Sequence, residues 1–209
     1  MLDKPIVMFD FETTGLSPAH GDRVTEVAAL RIVGSTVVER FVSLINCRVR
    51  IPAFITALTG ITQAMVDGAP PVREVIPELV RFIGTDLLAA HNASFDERFL
   101  LAECARLGMK TRHDGPICSV KLSRRVFPGL ATYSLGPLAA SLNIKFKGTA
   151  HRAEADAEVA SALLLHITTH LRDRHGLSCI DPILLKEITK LSARKVPEFL
   201  EKQGADRRV

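Results

Sequence analysis

The chain has 209 residues, 47% hydrophobic and 24% charged, which suits a soluble globular protein with one good core plus an appendage. No apolar run approaches the roughly 20 residues needed to span a bilayer. The opening MLDKPIVMFDF has an early acid and no small-residue cleavage site, so the expectation is a cytoplasmic protein without a signal peptide. The net charge of +4 permits a polyanionic partner without selecting one, and Cys47, Cys104, Cys118 and Cys179 form no CxxC zinc pair and read as reduced thiols.

Residues 4–11 are a short, nearly continuous apolar run, expected to form a central strand covered on both faces. After the turn-rich TTGLSPAHGD, residues 24–33 and 36–45 are β-rich and meet at Gly34-Ser35, so they read as a hairpin that continues an antiparallel meander. CRVRIPAFITALTGIT, punctuated by Pro52 and Gly60, reads as a loop. Pro70-Pro71 opens a helix through Ile83, with Val75, Ile76, Leu79 and Val80 at helical spacing.

Residues 86–91 read as another short strand. Ser94 with Glu97 three residues later reads as a capping box for a helix reaching about Gly108. Residues 117–119 are a candidate fifth strand. Helices follow around 120–126 and 134–142, and a long one spans about 153–174. This order predicts an α/β domain over residues 1–176 with a mixed five-stranded sheet flanked by helices. Residues 177–209, punctuated by Pro182 and Pro197, read as a short helical C-terminal extension with a fraying tail, QGADRRV.

The chemistry concentrates in acids. In DFETTG, strand alternation puts Asp10 and Glu12 on one face, about 7 Å apart along the chain, with Phe9 and Phe11 opposite. Two carboxylates crowded at the end of an apolar strand repel unless a cation compensates. Asp96, in AHNASFDERF, alone reads as a helix-start acid favoured by the macrodipole, and Asp156, in TAHRAEADAEVA, shares that role with Glu154 and Glu158. On one helix His151 and Asp156 would be about 140° apart. They converge only if His151 sits in the loop after Gly148, ahead of the helix.

DFETTG, HNASFD and HRAEAD, in this order, with PAFITALTGIT between the first two, resemble the DEDDh exonuclease family over about residues 5–170. That family includes the proofreading subunit of the bacterial replicative polymerase and RNase T. The resemblance implies a ribonuclease H-like fold and stepwise removal of nucleoside 5′-monophosphates from a nucleic-acid 3′ end. Single-stranded DNA is favoured and RNA is the alternative. A DNA polymerase subunit is an expected partner, in replication or repair.

The resemblance further implies two Mg²⁺ or Mn²⁺ ions held by Asp10, Glu12, Asp96 and Asp156. Asp10 would bridge, Glu12 and Asp156 would hold the ion that carries the attacking water, and Asp96 would support the second. His151 would be the general base and marks the histidine subclass; relatives with a catalytic tyrosine have it where this chain has Arg152. Thr13, Thr14 and Gly15 would bring backbone N–H groups to the terminal sugar or phosphate, with a simple turn the equal alternative. Leu16, Leu58, Ile61 and Phe95 would sandwich terminal bases. Asn92 would bind sugar or phosphate, and Phe11 and His91 complete the expected substrate-binding set.

Cys118-Ser119 stands where many relatives have Asp-Thr, outside the metal set. His166 with His170 reads as a surface pair, and Arg124 with Arg125 reads equally as a pair near the substrate path or as a solvated helix face. An aspartyl phosphatase would need an Asp where Glu12 stands and leaves HNASFD and HRAEAD without a role. A non-catalytic nucleic-acid-binding module would not need all five catalytic side chains.

Overall fold

The computed structural model describes residues 1–111, 113–145 and 150–206, residues 204–206 by backbone alone. Gly148, invoked above for the loop before His151, and residues 207–209 of the tail lie outside the described residues.

Strands β1 (Ile6–Thr13), β2 (Val24–Val33), β3 (Thr36–Leu44), β4 (Leu87–Ala90) and β5 (Ile117–Cys118) form one sheet in the order β3-β2-β1-β4-β5. The β1–β2 and β2–β3 pairs are antiparallel, and β1–β4 and β4–β5 are parallel, so the sheet is mixed and β1 is central. The α-helices among the described residues are α1 (Ala53–Thr59), α2 (Gln63–Asp67), α3 (Val72–Ile83), α4 (Ser94–Arg106), α5 (Ser119–Val126), α6 (Leu135–Ser141), α7 (Ala153–His175), α8 (Pro182–Lys190) and α9 (Val196–Asp206), with short 3-10 turns at Pro18–His20 and Ala193–Lys195.

Alternation along β1 divides the interior. Val7, Phe9 and Phe11 enter a core with Val75, Ile76 and Leu79 of α3 and Phe99 and Leu100 of α4. Ile6 and Met8 enter a second core with Leu163, Leu164, Ile167 and Leu171 of α7. The same alternation carries Asp10 and Glu12 onto the α7 face. There, Ala28 and Leu30 of β2 meet Ala153 and Ala157 at the start of α7. Alanine on both sides lets this end of the helix lie close to the sheet.

The chain past α7 belongs to the same interior. Leu177, Ile180, Leu184, Leu185, Ile188, Val196 and Leu200 share the core cluster of Ile6 and Met8. Leu2 forms a parallel bridge with Ile180, whose N–H donates to the Met1 carbonyl at 3.0 Å. No helix among the described residues is long and apolar enough to cross a membrane.

Three local expectations differ. The segment read as a loop holds α1 and α2: Pro52 precedes α1, Gly60 ends it at φ +73°, and the Thr62 hydroxyl caps α2 by accepting from Met65 N–H. Proline and glycine there punctuate helices and do not exclude them. The capping box at Ser94 does not form, because Ala93 is already helical and Ser94 lies inside the helix. Asn92, at φ +63°, turns the chain out of β4 one step earlier. Finally, α9 continues to Asp206, through residues expected to fray.

Candidate active site

β4 pairs with β1 only as far as Met8. Farther along β1, the Phe11 N–H donates to Asp96 Oδ1 at 3.1 Å, from the first turn of α4. Asp96 is 2% exposed and is thus pinned to the strand that carries Asp10 and Glu12. On the other flank, Asp156 lies in the first turn of α7. Its Oδ2 accepts the His151 N–H at 3.0 Å. His151 holds φ +62° in the turn ahead of the helix, with its side chain exposed. Residue and helix therefore meet as the loop geometry requires, not across one helical face.

One carboxylate oxygen from each of Asp10, Glu12 and Asp156 lies within 4.8 Å of the others. Burial, then the charges of Asp96, Glu12, Asp156 and Glu26, hold the Asp10 carboxyl well above the usual carboxylate range. Burial, then Asp156, Glu26 and Asp96, push Glu12 to about 8, with Arg152 pulling the other way. Burial raises Asp96 to about 8 despite the Phe11 N–H, and burial also raises Asp156. Four acids that repel one another in a desolvated corner fit hard divalent cations, which bind oxygen ligands and replace the protons.

The sequence did not single out Glu26, which is 3% exposed and sits opposite Glu12 in the β1–β2 register. Its carboxylate accepts from Arg152 Nε at 3.1 Å, from Arg152 Nη2 at 2.6 Å and from the Ala153 N–H at 2.9 Å. Only strand pairing brings it to the site. The signal available was an acid inside the apolar run VTEVAALRIV, which demands a buried partner.

The expected substrate-binding set divides. Leu16 is 79% exposed and Leu58 is 50% exposed. Phe95 is half-buried and packs on Phe99 with ring centroids 5.0 Å apart. Asn92 lines a cavity of about 640 Å³ with Arg124, Tyr133 and Ser134. Phe54, 66% exposed and one turn before Leu58 on α1, joins the exposed apolar set; reading α1 as a loop hid that helical spacing.

Three expectations are corrected. Phe11 puts its ring in the core, edge-on to Phe9 at 5.6 Å, because the strand face opposite the acids is the packed one. Ile61 is fully buried with Cys47, Ile51, Ile55 and Val66. In His91, Nε2 faces the Tyr133 carbonyl at 3.0 Å and Nδ1 faces the Ser119 hydroxyl at 2.9 Å. A carbonyl only accepts, so Nε2 carries the proton and neither nitrogen is left for substrate. This also gives the Cys118-Ser119 departure a structural role, since Ser119 orients His91.

Thr13 ends β1 opposite Val24, and the chain bends at Thr14 and Gly15, where the Thr14 N–H donates to the Arg23 carbonyl and the Thr13 hydroxyl to the Gly15 carbonyl. A Cβ on Gly15 would fall 2.4 Å from the Asp22 carboxylate, which accepts the Ser17 N–H. Close approach to Asp22 explains that glycine.

A mixed sheet with acids at the end of its central strand and in the first turns of two flanking helices defines a nuclease of the ribonuclease H-like fold. The RNase_T exonuclease family model matches residues 7–164, and the chain belongs to this exonuclease family. It is 33% identical over 190 residues to the DNA polymerase III subunit epsilon of Aquifex aeolicus, covering 91% of this chain and 92% of that protein. It is 32% identical over 195 residues to the PolC-type DNA polymerase III of Clostridium perfringens, covering 93% of this chain but 13% of that protein. Among solved structures, exonuclease X in complex with 5′ overhanging duplex DNA has a TM-score of 0.68 and 27% identity, covering 88% of this chain and 99% of that one.

Proposed function

We propose that the protein removes nucleotides one at a time from the 3′ end of nucleic acid, with single-stranded or frayed DNA as the favoured substrate, and releases nucleoside 5′-monophosphates. The observation that carries this reading is the convergence of Asp10, Glu12 and Asp156, with Asp96 behind them and His151 at the lip. Asp10, Glu12, Asp96 and Asp156 would hold two divalent cations, Mg²⁺ or Mn²⁺, which when bound clamp the attacking and leaving oxygens of an in-line displacement.

The chain's own groups do the rest. His151 takes the proton of the attacking water as the water oxygen bonds to phosphorus. The bond from phosphorus to the 3′ oxygen of the penultimate nucleotide then breaks, and that oxygen gains a proton from solvent. Asp156 holds the His151 backbone through its N–H. Leu16, Leu58, Phe54 and Phe95 offer apolar faces to the terminal bases, which accept any sequence, and Asn92 offers an amide to sugar or phosphate. Residues 1–176 form the exonuclease unit, and 177–206 complete its core. Similarity to a polymerase epsilon subunit along nearly its whole length supports association with a DNA polymerase in replication or repair.

The test is digestion of 3′-labelled single-stranded DNA, mismatched duplex DNA and RNA, each with Mg²⁺, Mn²⁺ and EDTA. Mononucleotide release with either metal and none in EDTA is expected. Hydrolysis of a small phosphatase substrate alone would overturn the reading. His151→Ala is expected to lower kcat by about 10²- to 10⁴-fold, the usual share of a general base, with little change in KM.

A further inference from the structure

The first turn of α7 carries Asp156 and follows directly on His151, so both inherit any error in where that helix begins. Its own N-cap residue, Arg152, provides no side-chain cap. The cap comes from another strand: Glu26 Oε2 of β2 accepts the Ala153 N–H at 2.9 Å. The same carboxylate takes the Arg152 guanidinium on both oxygens, at 3.1 and 2.6 Å. Glu26 is nine-tenths buried, faces Glu12 across the β1–β2 ladder, and satisfies both its oxygens in this grip.

We infer that Glu26 and Arg152 are positioning residues of the exonuclease, a clamp between β2 and α7 that fixes where His151 and Asp156 stand relative to Asp10 and Glu12. The inference rests on the proposed activity and deepens it. Neither residue needs to touch substrate. Two parallel N–H···O bonds to one carboxylate set distance and orientation together, which a single point charge cannot do. The backbone bond to Ala153 adds the rotation of the helix start. His151, at φ +62°, holds a conformation that costs energy for a residue with a Cβ, so it persists only while its surroundings impose it. On one side that support is Asp156 through the His151 N–H; on the other it is Arg152, the next residue in the chain.

The variants are Glu26→Gln, Arg152→Gln, Arg152→Lys and the Glu26→Gln/Arg152→Gln double. The control is Arg40→Gln, which loses an exposed ion pair from β3 to Glu154 and Glu158 of the same helix. With 3′-labelled single-stranded DNA, each single clamp variant is expected to lose about 10- to 100-fold in kcat, the usual effect of losing a partner that orients a ligand. KM should stay near wild type, the double should be no worse than the worse single, and the control should match wild type. Arg152→Lys should fail as Arg152→Gln does, because charge without the fork does not set orientation.

Two readings independent of turnover accompany these. The backbone amide resonance of His151 in the metal-free protein should shift in the clamp variants and not in Arg40→Gln. Binding of Mn²⁺ alone should weaken in the clamp variants. Rescue by Arg152→Lys, additive losses, or an unmoved His151 amide would overturn the clamp. A wild type that releases no nucleotide would instead overturn the proposed activity, and the amide shift would still report on the clamp.

Discussion

At the residue scale, the acids of the site oppose folding when charged. Glu12 and Asp96 are raised from 4.5 and 3.8 to about 8. The folded state thus holds these protons more tightly than the unfolded chain. That contribution to stability is complete below about pH 4 and disappears as pH rises through about 8. His91 runs the other way: burial lowers it from 6.5 to about 4, so its contribution is complete above pH 6.5 and is lost as pH falls through about 4.

In EDTA, thermal melts should therefore show stability falling from pH 5 toward pH 9, and saturating Mg²⁺ should remove most of that fall by binding the charged acids. A metal-independent profile would contradict the cation assignment. Asp10→Asn should raise the melting temperature in EDTA while abolishing nucleotide release, since it removes a repelling charge and a ligand together. A lower melting temperature would show that Asp10 is not the strained centre of the cluster.

At the element scale, the start of α7 lies close to the sheet because Ala28, Ala153 and Ala157 meet there. Ala157→Leu should overpack this contact and destabilise the fold by about 1–3 kcal/mol. It should also lower kcat by moving Asp156 away from Glu12; full activity with lowered stability would separate the packing from the site. The strands were legible because alternation and β-branched runs are local signals: Val24–Val33 and the β2–β3 turn fall where the residues place them. The acids on β1, α4 and α7 were legible because each sits at an element end that local pattern marks. Glu26 was not, because its partners Arg152 and Ala153 lie more than 120 residues away and only the register shows them. Nor was the burial of Ile61, which depends on how α1 and α2 fold back over Cys47.

At the scale of the whole molecule, the C-terminal helices share their apolar side chains with Ile6, Met8 and α7. Leu185, fully buried in that cluster, should cost about 2–5 kcal/mol on replacement by alanine. Urea unfolding monitored by circular dichroism should show one transition for it, without an early loss of α8 alone. Composition announced helices past Gly176, but nothing local announced the pairing of Leu2 with Ile180 that ties the start of the chain to the segment between α7 and α8.

The short reach of β4 bears on how Asp96 is to be probed. Where that strand stops, the Phe11 amide hydrogen finds a side-chain oxygen in place of a backbone one. Alanine at position 96 would strand this hydrogen in a dry interior and loosen the middle of the sheet. Asparagine, with its carbonyl, would still receive it. Of the two neutral replacements, then, asparagine alone can report on catalysis without also reporting on architecture.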